Sequence, residues 1–262
     1  MRVFLLVDLD GVLVKDKKLN PFEDAPDFLN FLRKKGLPFR ILSNNSTRSP
    51  RALVDELKNK GLDISYEEFL SPIAVLPEHL RKLGAKRIFL MGSKQVRDYL
   101  SEVGFEVLDD YKVDAVVIAQ DREIDFRKIK MATSAIFLSG AKLVPVNQSR
   151  IVKDDDGLYF PGSGSVAQML AHACNYKEAI PNLGKPSKEF IDLALGGTKP
   201  EEVWLISDDV YTDLMGAKSL GLKTVFLTTG KYSRDELEKA NFTPDYTFDS
   251  LTDLMKVLDQ LF

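Results

Sequence analysis

Short apolar runs recur along this chain and alternate with stretches whose apolar residues return at helical spacing. The runs at 3–8, 39–42, 87–91, 114–118, 143–146, 203–206 and 223–227 read as strands, mostly of the kind buried on both faces in a parallel sheet. Shorter strands are expected near 105–109 and 246–248. Between them the spacing predicts helices at about 24–35, 50–60, 72–83, 93–103, 126–139, 162–173 and 187–195, and from about 212 and 250. Phe28, Leu29 and Leu32 mark the buried face of the first helix, and Gly36 its stop. Ser49 and Pro50 read as the cap and first residue of the next helix, which Gly61 ends. This order predicts an α/β fold, a Rossmann-like parallel sheet core with helices on both faces.

Two segments invite functional readings that their spacing does not support. Asp156-Gly157 within 153–159 signals a hairpin, and the acidic run around it lacks the ligand spacing of a calcium loop. Gly162-Ser163-Gly164-Ser165 lacks both the Lys-Ser/Thr of a P-loop and the third glycine of a dinucleotide fingerprint, so it reads as a tight turn and helix cap.

Composition narrows the function classes. The 262 residues carry a net charge of −3, which argues against a nucleic-acid surface. Apolar runs fall short of a membrane span, and the start reaches Asp8 too early for a signal peptide. Cys174 is the single cysteine, so an internal disulfide is excluded and a cytoplasmic location is expected. With only His79 and His172 beside it, a Cys/His zinc site is excluded as well.

Four polar segments end apolar strands or precede helices, where open α/β sheets place their ligand sites. Asp8, Asp10 and Gly11 follow the first strand; Asp8 and Asp10 can lean toward one pocket, and Gly11 permits a sharp turn. Ser43, Asn44, Asn45 and Ser46 follow the second strand with hydroxyl, amide and backbone N–H donors suited to phosphate oxygens. Gly184-Lys185-Pro186 places a lysine where the following helix begins, with Pro186 as first helical residue. Ser207 to Asp213 brings Asp208, Asp209 and Asp213, oxygen donors that suit Mg²⁺ better than zinc. Each segment alone is also an ordinary polar loop or cap.

Electrostatics ties the segments together. A carboxylate attacking a phosphate monoester dianion at about 4 Å and an effective dielectric of about 20 meets roughly 8 kcal/mol of repulsion. That corresponds to roughly six powers of ten in rate. A divalent cation together with a lysine reverses the sign.

In this order the four motifs resemble the haloacid dehalogenase-like phosphatases, closest to the branch of NagD-type and 4-nitrophenyl phosphatases, with Ile41-Leu42-Ser43-Asn44-Asn45-Ser46 and Gly184-Lys185-Pro186 nearly as that branch writes them. The resemblance implies a phosphomonoester hydrolase acting on a small-molecule phosphate ester. Asp8 would be nucleophile and Mg²⁺ ligand, and Asp10 the acid and base, with its backbone carbonyl on the metal. Gly11, Ser43, Asn44 and Asn45 would line the phosphate site. Lys185 would neutralise charge, Asp208 would ligate Mg²⁺ and Asp213 would support it from behind. Two positions depart from the family: Ser207 stands where glycine is usual, and Asn147-Gln148-Ser149 lacks the acid of an Asn-x-Asp pattern.

The interval from Ser43 to Lys185 far exceeds the roughly 30 residues of a βαβ unit. Residues 76–181 therefore read as an inserted α/β cap over the site, with 1–75 and 182–262 as the core. Caps of this family often mediate dimers, which makes homo-oligomerisation through the cap an expectation. Competing readings are a receiver-like phospho-accepting module without turnover, and a dehalogenase. Asp10, which turnover requires and a lasting phospho-aspartate does not, speaks against the first.

Overall fold

Every predicted strand forms. In chain order the strands are Phe4–Asp8 (β1), Phe39–Leu42 (β2), Phe69–Leu70 (β3), Arg87–Met91 (β4), Glu106–Val107 (β5), Ala115–Ile118 (β6), Lys142–Pro145 (β7), Ile151–Lys153 (β8), Tyr159–Pro161 (β9), Val203–Ser207 (β10), Lys223–Leu227 (β11) and Tyr246–Phe248 (β12). The computed structural model describes residues 3–154 and 156–262; Met1 and Arg2 of the chain-start reading and Asp155 of the hairpin signal lie outside them. The chain divides into two compact units, one comprising the residues up to Ser43, Pro50–Leu70 and Lys185–Phe262, the other Asn44–Ser49 and Ser71–Gly184. The sequence reading set the insertion at 76–181.

Among the described residues the first unit holds a six-stranded sheet in the order β12-β11-β10-β1-β2-β3, its strands parallel throughout. Residues alternate between its faces. Leu5 and Val7 of β1, Trp204 and Ile206 of β10, and Val225 and Leu227 of β11 join one core cluster. Helices Ala25–Lys35, Pro50–Asn59 and Leu251–Leu261 cover that face with Phe28, Leu32, Leu53, Leu57, Leu254 and Leu258. Asp24 ties two of these helices by accepting from Thr252 N at 3.0 Å. Phe226 turns to the other face and packs with Val210 and Leu214. Leu6 and Asp8, and likewise Leu205 and Ser207, alternate onto that second face.

The second unit repeats the logic with the parallel order β5-β4-β6-β7. Phe89, Met91, Val116, Ile118 and Leu143 pack against Ala132, Ala135 and Ile136 of helix Phe126–Ser139 and Val166, Ala167 and Leu170 of helix Ser163–Ala173. Strands β8 and β9 pair antiparallel, as the Asp-Gly signal predicts. The start of helix Ser163–Ala173 is filled by its own chain. Ser165 N donates to Ser149 O (3.3 Å), Ser165 Oγ to Arg150 O (2.7 Å), and Ser163 Oγ to Asn147 Oδ1 (2.6 Å).

Some local expectations need correction. Pro186 does not open a helix: Ser187 is the cap, accepting from Phe190 N at 3.2 Å, and the helix runs Lys188–Leu195. A side-chain cap one residue downstream outweighs the preference of proline for the first helical position. The helix expected from about 212 begins earlier as a wide turn, Val210–Leu214, in which Leu214 N bonds Asp209 O at 3.1 Å, before the regular turn Met215–Ser219. Among the described residues no helix is long and apolar enough to cross a membrane.

Candidate active site

The first unit gathers its polar groups at the carboxyl ends of β1, β2, β10 and β11. In the parallel register Val7 pairs Ile206 and Asp8 pairs Leu42, so Asp8 and Ser207 are neighbours on one face and Ser43 lies one residue past Asp8's partner. Ser43 is buried, and its N–H donates to Leu70 O at 3.1 Å.

Lys185 Nζ donates to Asp8 Oδ1 at 2.6 Å and to Asp213 Oδ2 at 2.9 Å. Ser207 Oγ lies 2.8 Å from Asp213 Oδ2 and 3.3 Å from Asp8 Oδ2, and accepts from Asp209 N at 3.0 Å. Asp8, Lys185, Asp208 and Asp213 are each 8% exposed or less. Asp209 caps the wide turn through Thr212 N at 2.8 Å, which carries Asp213 back onto Lys185.

Asp208 sits in a slot between two backbones. A Cβ on Gly11 would fall 2.2 Å from its Oδ2, and one on Gly230 at 2.0 Å. Lys231 N donates to that oxygen at 2.5 Å, while Lys231 Nζ reaches Asp209 Oδ2 at 3.1 Å. Thr229 Oγ1 donates to Gly11 O at 2.6 Å, tying the turn after β1 to the loop after β11. That turn is compact: Leu13 N and Val14 N both bond Leu9 O, and Gly11 N bonds Val14 O. Asp10 is its exposed member.

The charges do not balance. Three buried carboxylates, Asp8, Asp208 and Asp213, share one buried ammonium. Burial pushes the Asp8 carboxyl well above the usual carboxylate range; Lys185 opposes this, and Asp213, Asp208 and Asp10 add to it. Burial likewise raises Asp208 against the pull of Lys231 N–H and Lys185. Burial alone would lower Lys185, but Asp213 and Asp8 outweigh it and hold the ammonium above its ordinary value.

An excess of buried anionic oxygen donors is the chemistry of a hard divalent cation, and Asp8 and Asp208 fit one. Among the described residues no three His, Cys, Asp or Glu side chains make a ready cage. The two carboxylates could hold such a cation, completed by backbone, water or substrate oxygens.

Of the residues singled out in the sequence, Asp8, Gly11, Asp208, Asp213 and Lys185 are brought together in the first unit, with Ser43 and Asp10 on the flanking turns. Asn44 and Asn45 belong to the second unit. Asn45 Oδ1 accepts from Thr47 N at 3.1 Å and Arg48 N at 3.0 Å, so that oxygen is spent on a local turn. Thr229, Gly230 and Lys231 escaped the sequence reading. Their signal is position, since they follow β11 at the same sheet edge as the other three segments.

Two family models match the chain: "Haloacid dehalogenase-like hydrolase" over residues 5–106 and "HAD-hydrolase-like" over 182–254, together two thirds of its length. The structure is similar to that of a p-nitrophenyl phosphatase from Archaeoglobus fulgidus, 28% identical, covering 98% of this chain and 99% of that one, with a TM-score of 0.86. It is similar also to a 4-nitrophenylphosphatase from Thermotoga maritima, 25% identical, covering 97% and 96%, with a TM-score of 0.85. In sequence, an acid sugar phosphatase of Staphylococcus saprophyticus is 25% identical over 258 residues, 97% of each chain.

Proposed function

The chain belongs to the haloacid dehalogenase-like hydrolases, and on that premise we propose that it is a Mg²⁺-dependent, cytoplasmic phosphatase of small phosphate monoesters, acting through an aspartyl-phosphate on Asp8. The observation that carries this reading is the grip of Lys185 on Asp8 Oδ1 at 2.6 Å, backed by Asp213, at the carboxyl end of a central strand. The phosphatase names of the relatives support small phosphate esters as the substrate class, with sugar phosphates first in the panel to assay.

In the first step an Asp8 carboxylate oxygen bonds to phosphorus while the bond to the ester oxygen breaks. Asp10 gives its proton to that departing oxygen. In the second step Asp10 takes a proton from water, the water oxygen bonds to phosphorus, and the bond to Asp8 breaks. Inorganic phosphate leaves, and both acids return to their starting states. Lys185 offsets the charge of Asp8 and of the incoming phosphate, and Ser43 would hold a phosphoryl oxygen. Asp8 and Asp208, with the Asp10 carbonyl, would hold Mg²⁺, which when bound supplies charge neutralisation at the phosphoryl group. The exposure of Asp10 beside buried Asp8 suits it to exchange protons with alcohol and water.

Phosphate release from 4-nitrophenyl phosphate with Mg²⁺, with EDTA, and by Asp8→Asn tests this reading. Strong release only in the first condition supports it; equal release in all three overturns it. A trapped phosphoprotein without turnover would replace it with the receiver-like alternative.

A further inference from the structure

The Ser207 hydroxyl closes a ring. Lys185 Nζ holds Asp8 Oδ1 and Asp213 Oδ2, while Ser207 Oγ meets the same Asp213 Oδ2 and the other Asp8 oxygen, Oδ2. The ring is buried, with Ser207 at 0% exposure. Its fourth corner is fixed from outside by Asp209 N–H, which donates to Ser207 Oγ at 3.0 Å. A hydroxyl has one proton to give, so the two carboxylates share it, Asp213 at 2.8 Å being nearer than Asp8 at 3.3 Å.

We propose that Ser207 is a positioning residue for the phosphatase reaction, setting the plane of the Asp8 carboxylate so that its attacking oxygen is aligned before substrate arrives. This rests on the phosphatase reading above. The carboxylate torsion of an aspartate has broad minima, and a single donor on Oδ1 leaves it free to rock. The Ser207 hydroxyl beside Oδ2, braced through Asp213, restrains that rocking. Such alignment is worth rate because attack depends on near-contact geometry. Deleting the hydroxyl also deprives Asp213 Oδ2 of one of its two donors and Asp209 N–H of its acceptor.

Ser207→Ala keeps the Cβ and removes the hydroxyl. Ser207→Gly also removes the Cβ and opens room for a water that can restore the lost contacts. With 4-nitrophenyl phosphate and Mg²⁺, kcat of S207A is expected to fall about tenfold, equivalent to about 1.4 kcal/mol. KM should stay within about twofold, as for an interaction realised in the transition state, and S207G should recover part of kcat. A readout independent of turnover is urea unfolding in EDTA: the midpoint shifts of S207A and Asp213→Asn should not add in the double variant, as for members of one network. If either single variant fails to fold, the kcat and KM of S207G decide alone, a kcat below wild type at unchanged KM supporting the proposal. Unchanged kcat in S207A, a parallel change in KM, or additive midpoint shifts overturn the proposal while leaving the phosphatase reading intact. No turnover by the wild-type protein overturns both.

Discussion

The backbone of Gly11 is the wall against which Asp208 rests, and a methyl group there would fall 2.2 Å from Asp208 Oδ2. Gly11 also holds φ +76, a conformation side chains disfavour. Gly11→Ala and Gly230→Ala should therefore push the Asp208 carboxylate out of its slot and lower kcat on the order of a hundredfold. Gly61→Ala is the control: its φ of +94 is equally disfavoured, but its Cβ would meet open space. That variant should lose about 1 kcal/mol or more of stability and keep its kcat. Steady-state kinetics and urea unfolding of the three variants check this; equal kcat in all of them contradicts it.

Replacing Lys185 with methionine leaves Asp8 and Asp213 buried without their shared cation. Breaking a buried pair in this way costs about 3–5 kcal/mol. Lys185→Met should lower the urea midpoint accordingly and abolish phosphate release. Adding Asp213→Asn, which removes one of the stranded charges, should regain part of the stability and none of the activity. A single variant as stable as wild type would show that the ion pair is not formed.

The raised carboxyls of Asp8 and Asp208 give the metal-free protein a signed pH dependence. Their folded values lie above the ordinary carboxylate value, so above that value the folded state binds more protons than the unfolded chain. Stability from these groups is therefore greatest at and below the ordinary value and is lost as pH rises through the raised ones. Mg²⁺ competes with the same protons, so its stabilising effect should grow across that window. At a hundred times its Kd a ligand adds about 2.7 kcal/mol. Thermal melts with Mg²⁺ and with EDTA from about pH 4 to 8 should diverge as pH rises; converging curves would rule the metal site out.

If residues 71–184 act as a cap, exchanging them for the equivalent unit of a relative should change which esters are cleaved. Formation of the phosphoenzyme on Asp8 should survive. A panel of sugar phosphates, nucleotides and 4-nitrophenyl phosphate measures this, and an unchanged preference among them counts against the cap reading.

The sheet was legible because its long strands are buried on both faces, which leaves a run of apolar residues that periodicity cannot hide: Phe4–Asp8 and Val203–Ser207 are such cases. Phe69–Leu70 was not legible. Two residues carry no period, and they are a strand only because Ile41 and Leu42 offer an edge to pair with. Helix Asp235–Lys239 is likewise too short to show a face. In the site, Asp8, Lys185 and Asp208 stand out in the sequence as polar groups following apolar strands or preceding a helix. Thr229 and Lys231 did not, because they contribute through one short hydroxyl contact and a backbone N–H, and neither kind of contact has a side-chain signature in sequence. Ser207 was visible as an odd residue, while its contacts depend on the register between two strands far apart in the chain.

That register makes the centre sensitive to phase. Leu205 and Ser207 share one face of β10 while Trp204 and Ile206 feed the opposite core. One residue gained inside the strand would set an isoleucine beside Asp8, and one residue lost would drive the Ser207 hydroxyl into the hydrophobic layer. Changes of length are thus closed to this segment as a way of tuning the protein, and have to be absorbed by exposed connections such as the turn at Gly61.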